Sequence, residues 1–222
     1  MGPAAVAAGR MSSDEGEAMT TPNWDASYTR TVPAPWDIGR PQPAFLRLAE
    51  SGLLTGRVLD AGCGTGEHAL LAARFGAEAM GVDRSARAIE QARDKAAARH
   101  LRVRFEVADA LSLADLGQTF DTIIDSGLFH VFDEPSRARY VASLASVLRP
   151  GGHCHLMCFS DRQPGTWGPR RVTQAELRAA FSDGWTIEGI TPDAFEVNPD
   201  TVRTTTAQAW LADISRVAPD RA

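Results

Sequence analysis

The residues whose types and spacing bear most directly on chemistry begin where an apolar run ends. In "VLDAGCGTGE" that run closes at Asp60 and is followed by Gly62, Gly64 and Gly66. Glycine serves a backbone that must turn sharply and let a ligand approach with no Cβ in the way. A dinucleotide-binding loop needs G-x-G-x-x-G ahead of a helix whose N-terminus faces a pyrophosphate. Here the spacing is G-x-G-x-G, and Glu67 stands at the third-glycine position of that fingerprint, an anion beside the place where phosphate would sit. Nicotinamide and flavin cofactors are therefore disfavoured. A Walker loop is excluded because no Gly-Lys-Ser/Thr follows.

A nucleoside that carries cations suits the loop better. S-adenosylmethionine has a sulfonium and an α-ammonium, both compatible with a nearby Asp60, and a carboxylate that backbone N–H groups can meet. Downstream, His130 in "SGLFHVF" is the best candidate for a general base, since histidine accepts a proton near neutral pH. The same side chain could instead cap the following helix or pack against Phe129. The run "HCHLMCF" invites a metal reading, but strand alternation sets His153, His155, Met157 and Phe159 on one face and Cys154 and Cys158 on the other. No four-ligand set converges, and no metal site is expected. Cys63, with no histidine beside it in sequence, reads as a small residue lining the cofactor rather than as a nucleophile.

The elements that must position these residues alternate from residue 44 onward between strand and helix periodicity, which predicts an α/β fold, a doubly wound, mostly parallel seven-stranded sheet with helices on both faces; its last strand is expected to be antiparallel. A helix over "PAFLRLAESG" ends at Gly52, "RVLDAG" is a buried strand, and "GEHALLAARFG" is an apolar helix ending at Gly76. "AEAMGVD" is the second strand, followed by a helix opening at Ser85 with Ile89, Ala92 and Ala96 on one face. "RVRFEVAD" and "FDTIIDSG" are strands three and four. The next helix begins near Pro135, carries Tyr140, Leu144, Val147 and Leu148 on one stripe, and stops at "RPGG". "HCHLMCFS" is strand five, Thr173 and Glu176 form a capping box, and "WTIEGITP" and "TTTAQAWLADIS" close the sheet.

The chain's 222 residues suit one larger domain with a sizeable core. A net charge of −5 argues against a nucleic-acid surface, which would need clustered Lys and Arg, so small molecules are the expected partners. Three cysteines without disulfide-like spacing suggest a reducing compartment, and the protein reads as cytoplasmic with no membrane partner. Residues 1–22 lack an apolar h-region and read as a floppy tail in which Met11 and Met19 are alternative starts. Residues 23–44 form a lid segment and 45–215 the domain. The sequence sets no oligomeric state.

With these signals in order, the chain resembles the class I S-adenosylmethionine-dependent methyltransferases over roughly residues 45–160. "VLDAGCGTG" is similar to their first motif, "GVDRS" to the second strand ending in a ribose-binding acid, "ADAL" to the segment beside the adenine, and "LRPGGH" to the turn before strand five. "PWDIGRPQP" resembles the PWD-x-GR stretch of thiol, halide, thiopurine and heterocycle methyltransferases. The resemblance implies S-adenosyl-L-methionine as cofactor and S-adenosyl-L-homocysteine as product. It also implies cofactor contacts at Trp36, Asp60, Ala61, Gly62, Cys63, Gly64, Gly66, Asp83, Arg84, Asp109, Ala110 and Ser126. Acceptor contacts fall at Trp24, Tyr28, Trp36, Phe129, His130 and Trp167. The implied reaction is methylation of O, N or S on a small aromatic, quinone-like or heterocyclic acceptor. The alternatives are a thiol, halide or tellurite detoxifying enzyme, or a non-catalytic S-adenosylmethionine-binding regulator.

Overall fold

The computed structural model describes residues 24–29 and 33–218. The expected tail over 1–22 lies outside the described residues, as do residues 23 and 30–32 of the lid segment. The first five strands are mutually parallel: β1 (Arg57–Ala61), β2 (Glu78–Asp83), β3 (Arg104–Val107), β4 (Phe120–Ser126) and β5 (Leu148–Phe159). The last two, β6 (Trp185–Glu196) and β7 (Thr206–Arg216), complete a seven-stranded sheet of order β3-β2-β1-β4-β5-β7-β6. Only β7 runs antiparallel, pairing with both β5 and β6. The direction of winding reverses between β1 and β4, so the carboxyl ends of these two strands open the crevice where such sheets bind ligands.

Strand alternation assigns the two faces. Leu59, Ile123 and Leu156 pack on one side with Tyr140 and Leu144 of α5 (Glu134–Val147) and Leu177 of α6 (Gln174–Ala180). Their neighbours Val58, Ile124 and Met157 pack on the other side with Phe45 of α2 (Pro43–Glu50) and Leu71 of α3 (Glu67–Arg74). Ile89 and Ala92 of α4 (Ala86–Ala98) seal Leu70 and Phe105. Two sequence-predicted caps are present: Ser85 Oγ accepts from Ala88 N at 3.1 Å, and Thr173 and Glu176 bond reciprocally. Among the described residues no helix is long and apolar enough to cross a membrane.

Three boundaries differ from expectation. "RPGG" is not a stop between helix and strand: Leu148 already has an extended backbone, and β5 pairs with β4 from the Phe120 and Leu148 partners onward, with a register shift between Phe120 and Thr122. Leu148 therefore belongs to the strand rather than to the helical stripe. β6 runs through Pro192 to Glu196, because an edge strand tolerates a residue without an N–H and β6 is the edge. Within the lid segment, Trp24–Tyr28 forms a short helix α1 that periodicity had not marked.

Candidate active site

The loop after β1 holds Gly62, Gly64 and Gly66 at φ of +71°, +51° and +86°, the left-handed region that side chains resist. Its backbone is braced from β2. Gly64 N donates to Asp83 Oδ2 at 2.9 Å and Ser85 N to Oδ1 at 2.8 Å, so both carboxylate oxygens are aimed while each keeps a lone pair. Two residues after β3, Asp109 caps a 3-10 helix, its Oδ1 accepting from Leu111 N at 2.9 Å, and its Oδ2 lies 4.0 Å from Arg84 Nε.

These groups open onto a cavity of about 480 Å³, within the usual range for small-molecule sites. Of the sequence-predicted residues, Trp24, Tyr28, Trp36, Gly62, Cys63, Gly64, Asp83, Arg84, Asp109, Ala110, Ser126, His130 and Trp167 line its wall. Asp60, Ala61, Gly66 and Phe129 stand outside that wall, each for a physical cause. Asp60 stands behind the loop, where Oδ2 accepts from Ala69 N of α3 at 3.0 Å. Ala61 is fully buried in the sheet. A Cβ on Gly66 would meet Phe105 Cζ at 2.7 Å, so this glycine allows packing beneath the loop rather than contact above it. Phe129 is fully buried against Phe181 and under the Arg137 guanidinium, 5.3 Å from its ring centre.

Burial raises the Asp60 carboxyl to about 8, against the pull of the Ala69 N–H and with the nearby Asp83 and Asp125 charges adding to it. Its Oδ1 has no hydrogen-bond partner among the described residues. Asp125 is likewise raised by burial to about 7 although it accepts from Leu128 N, Phe129 N and Tyr140 Oη. A folded carboxyl titrating above its unfolded value stabilises the fold below that unfolded value, and the contribution is lost as pH rises through the folded pKa. Burial acts oppositely on His68 and His130, lowered to about 4 and about 3, whose effect ends near pH 6.5. Between pH 6.5 and 8 the two aspartates thus dominate among these buried groups. The ligand-free protein should melt at lower temperature at pH 8 than at pH 6.5, and Asp60→Asn should flatten that slope in a thermal-melting series.

His130 sits in a short 3-10 turn, Phe129–Val131, after β4, edge-on to the rings of Phe159 and Phe195, which also touch each other. Phe159 N donates to its Nδ1 at 3.0 Å. A backbone amide can only donate, so Nδ1 is unprotonated and the neutral ring carries its proton on Nε2. Nε2 has no protein partner among the described residues, and it would lie 3.5 Å from a Cβ placed on the cavity residue Gly127. With Nδ1 accepting from the Phe159 amide, the nitrogen without a protein partner among the described residues carries the proton, so the ring is set to donate there rather than to accept. Burial, followed by the charges of Arg137 and Arg171, depresses its pKa.

The remaining wall contains residues that sequence reasoning had not assigned to the site. Glu67, read as an anion facing phosphate, turns to Lys95 Nζ at 2.8 Å and to Arg99 at 2.8 and 2.9 Å; the Lys95 and Arg99 spacing on one helical face was the available signal. Phe159 and Phe195 form an aromatic end with Trp167. Gln42 bonds the Glu196 backbone twice, at 2.9 and 2.8 Å, and Arg40 pairs with Glu196 at 2.6 Å, tying the lid segment to the end of β6. Thr65 Oγ1 donates to Asp37 at 3.3 Å. In α1, Asp25 accepts from Ser85 Oγ at 2.5 Å, and Trp36 Nε1 donates to Tyr28 Oη at 3.2 Å. All three cysteines are buried and free, with thiols pushed up by burial. His153 Nδ1 and His155 Nδ1 share Asp213 at 2.9 and 3.5 Å, and no group of three or more acids, histidines or cysteines among the described residues is arranged to hold a metal ion.

Comparison with known proteins places this geometry. A family model described as a methyltransferase domain matches residues 58–152. A 2-heptyl-1-hydroxyquinolin-4(1H)-one methyltransferase of Mycobacteroides abscessus is 39% identical over 186 residues, covering 80% of this chain and 82% of the relative. A probable thiol methyltransferase of Arabidopsis thaliana is 27% identical over 169 residues, covering 75% of this chain and 73% of its own. A solved structure described as concerning conversion of a disulfide bond into a thioacetal group during echinomycin biosynthesis superposes with a TM-score of 0.79 at 40% identity, over 87% of this chain and 91% of the other.

Proposed function

Because this chain belongs to the class I S-adenosylmethionine-dependent methyltransferases, we propose that it methylates an oxygen, nitrogen or sulfur on a flat aromatic or heterocyclic small molecule. The cofactor supplies a methyl group already activated on a sulfonium. Asp83 would take the ribose hydroxyls, Asp109 the adenine amine, and the Gly62 to Gly64 backbone the amino-acid arm. The protein's contribution is then proximity, alignment and exclusion of water.

One observation carries the acceptor reading: the cavity that Asp83 and Asp109 open into continues to an end walled by Phe159, Trp167 and Phe195, a surface matched to a planar apolar ring. The relative that methylates a hydroxyquinolone supports the same class. A thiol acceptor is the second reading, favoured by the PWDIGR segment seated beside the cavity and by the thiol-methylating relative. Calorimetric binding of S-adenosylmethionine, followed by labelled-methyl transfer to quinolones, phenols, quinols, thiols and iodide, tests both. Transfer to aromatic acceptors supports the proposal, transfer confined to thiols or iodide supports the second reading, and tight binding with no transfer favours a regulator.

We also propose that Trp36 closes the cavity mouth as part of the lid over 23–44. It is 48% exposed and leans edge-on to Trp24 at 6.1 Å, so little core packing depends on it. Trp36→Ala should leave the melting temperature within about 2 °C and weaken cofactor or acceptor binding roughly tenfold. A large loss of melting temperature with unchanged binding would assign the ring to packing instead.

A further inference from the structure

We propose that the acceptor is an acid: the site takes an aromatic molecule whose reacting atom is already deprotonated at neutral pH, and His130 donates to that anion from Nε2 rather than removing its proton. This deepens the methyltransferase reading and rests on it. Three observations carry the inference.

The first is the tautomer. The Phe159 amide occupies Nδ1, so the ring edge left for a ligand presents an N–H. Taking a second proton would convert Nδ1 into a donor facing another donor and break that bond.

The second is the surrounding charge. Arg137 of α5 and Arg171 of the segment after β5 stand close enough to disfavour a proton on the ring, and their guanidinium groups lie 5.3 Å and 5.6 Å from the ring centres of Phe129 and Phe159. Among the described residues every hydrogen bond of Arg171 goes to a backbone carbonyl, on Gln163, Gly165 and Pro169. Glu176 is shared between Arg137 and Arg170. The uncompensated charge behind His130 is positive, which favours an anion in front of it.

The third is that the neighbouring acids are occupied. Asp125 accepts from Leu128, Phe129 and Tyr140; Asp161 accepts from Trp210 Nε1; Glu196 pairs with Arg40. Cys158 is buried with its thiol pushed up. The aromatic end therefore offers N–H donors, from His130 and the Trp167 indole, and no group poised to receive a proton.

The step balances without such a group. A lone pair on the acceptor anion forms the new bond to the methyl carbon as the carbon–sulfur bond breaks, and that electron pair stays on sulfur. The negative charge of the acceptor and the positive charge of the sulfonium cancel. No proton moves.

The test is the pH dependence of kcat/KM across two acceptor series of graded acidity: ring-substituted 1-hydroxyquinolin-4(1H)-ones, and phenols from 4-nitrophenol to phenol itself. The proposal expects the rising limb of each profile to follow the acceptor's own pKa. Unsubstituted phenol, ionising near 10 as tyrosine does, should react at pH 7 on the order of 100-fold more slowly than the most acidic member. His130→Ala should lower kcat/KM about tenfold to a hundredfold, the scale of one hydrogen bond to a charged group, with the limb still following the acceptor. His130→Gln, which keeps an N–H donor, should recover part of that loss. A limb fixed at one pH for every acceptor, or one abolished in both His130 variants, would overturn the donor role in favour of an enzyme base. Calorimetry with S-adenosylmethionine accompanies each variant. Wild-type protein that does not bind the cofactor, or binds it and methylates neither series, overturns the underlying reading rather than this assignment.

Discussion

Replacing Asp83 by alanine should reduce S-adenosylmethionine affinity by roughly 100-fold to 10,000-fold while leaving a folded protein. Two charge-assisted hydrogen bonds to the ribose hydroxyls would be lost, each worth about 1.5–3 kcal/mol in a partly buried site. The carboxylate also holds the loop, since Gly64 N at 2.9 Å and Ser85 N at 2.8 Å both donate to it, and those amides would lose their partner. Burial raises the Asp83 pKa, so its removal also relieves a desolvation cost, and the melting temperature should move by only a few degrees. Asp83→Asn keeps one acceptor and should fall between the two proteins. Calorimetry on folded protein at pH 7.5 reads the effect; wild-type affinity in Asp83→Ala would remove this acid from the cofactor site.

The second large effect concerns stability. Gly66→Ala places a Cβ 2.7 Å from Phe105 Cζ and 2.9 Å from the Ala92 Cβ, on a residue at φ +86°. The left-handed backbone costs about 1–2 kcal/mol, and overpacking against a ring that α3 and α4 enclose costs about 1–3 kcal/mol more. Together these should lower the melting temperature by roughly 5–15 °C for a domain of this size. Gly76→Ala is the control. Its φ is +92° but nothing lies within 4 Å of its added Cβ, so only the backbone part should register. Equal losses in the two variants would show that the loop is not packed against Phe105 as described.

Much of this was legible from the chain because it is local. The loop glycines, the Ser85 cap and the capping box of Thr173 and Glu176 depend on neighbours a few residues away, and the alternating periods predict the seven strands. What was hidden depends on partners far off in sequence. Residue type at the end of β1 does not say whether Asp60 faces the ligand or the α3 amides behind the loop; the Ala69 N–H decides it. The tautomer of His130 is set by an amide 29 residues later, and the segment before α2 is fastened by Gln42 to Glu196 across 154 residues. Pro192 signals a strand end by composition and is overruled by the edge position of β6. Phe129, a plausible aromatic wall in sequence, is drawn into the core by Phe181 and Arg137.

The central claim is that one cavity brings an activated methyl group and a flat aromatic acceptor together. The most direct measurement incubates the protein with S-adenosylmethionine carrying a labelled methyl group and a 1-hydroxyquinolin-4(1H)-one, and follows both products by mass spectrometry. The account predicts labelled methyl on the acceptor heteroatom, formed one for one with S-adenosyl-L-homocysteine. Cofactor that binds and is recovered unchanged, with no methylated product from this or any other aromatic acceptor, would contradict it.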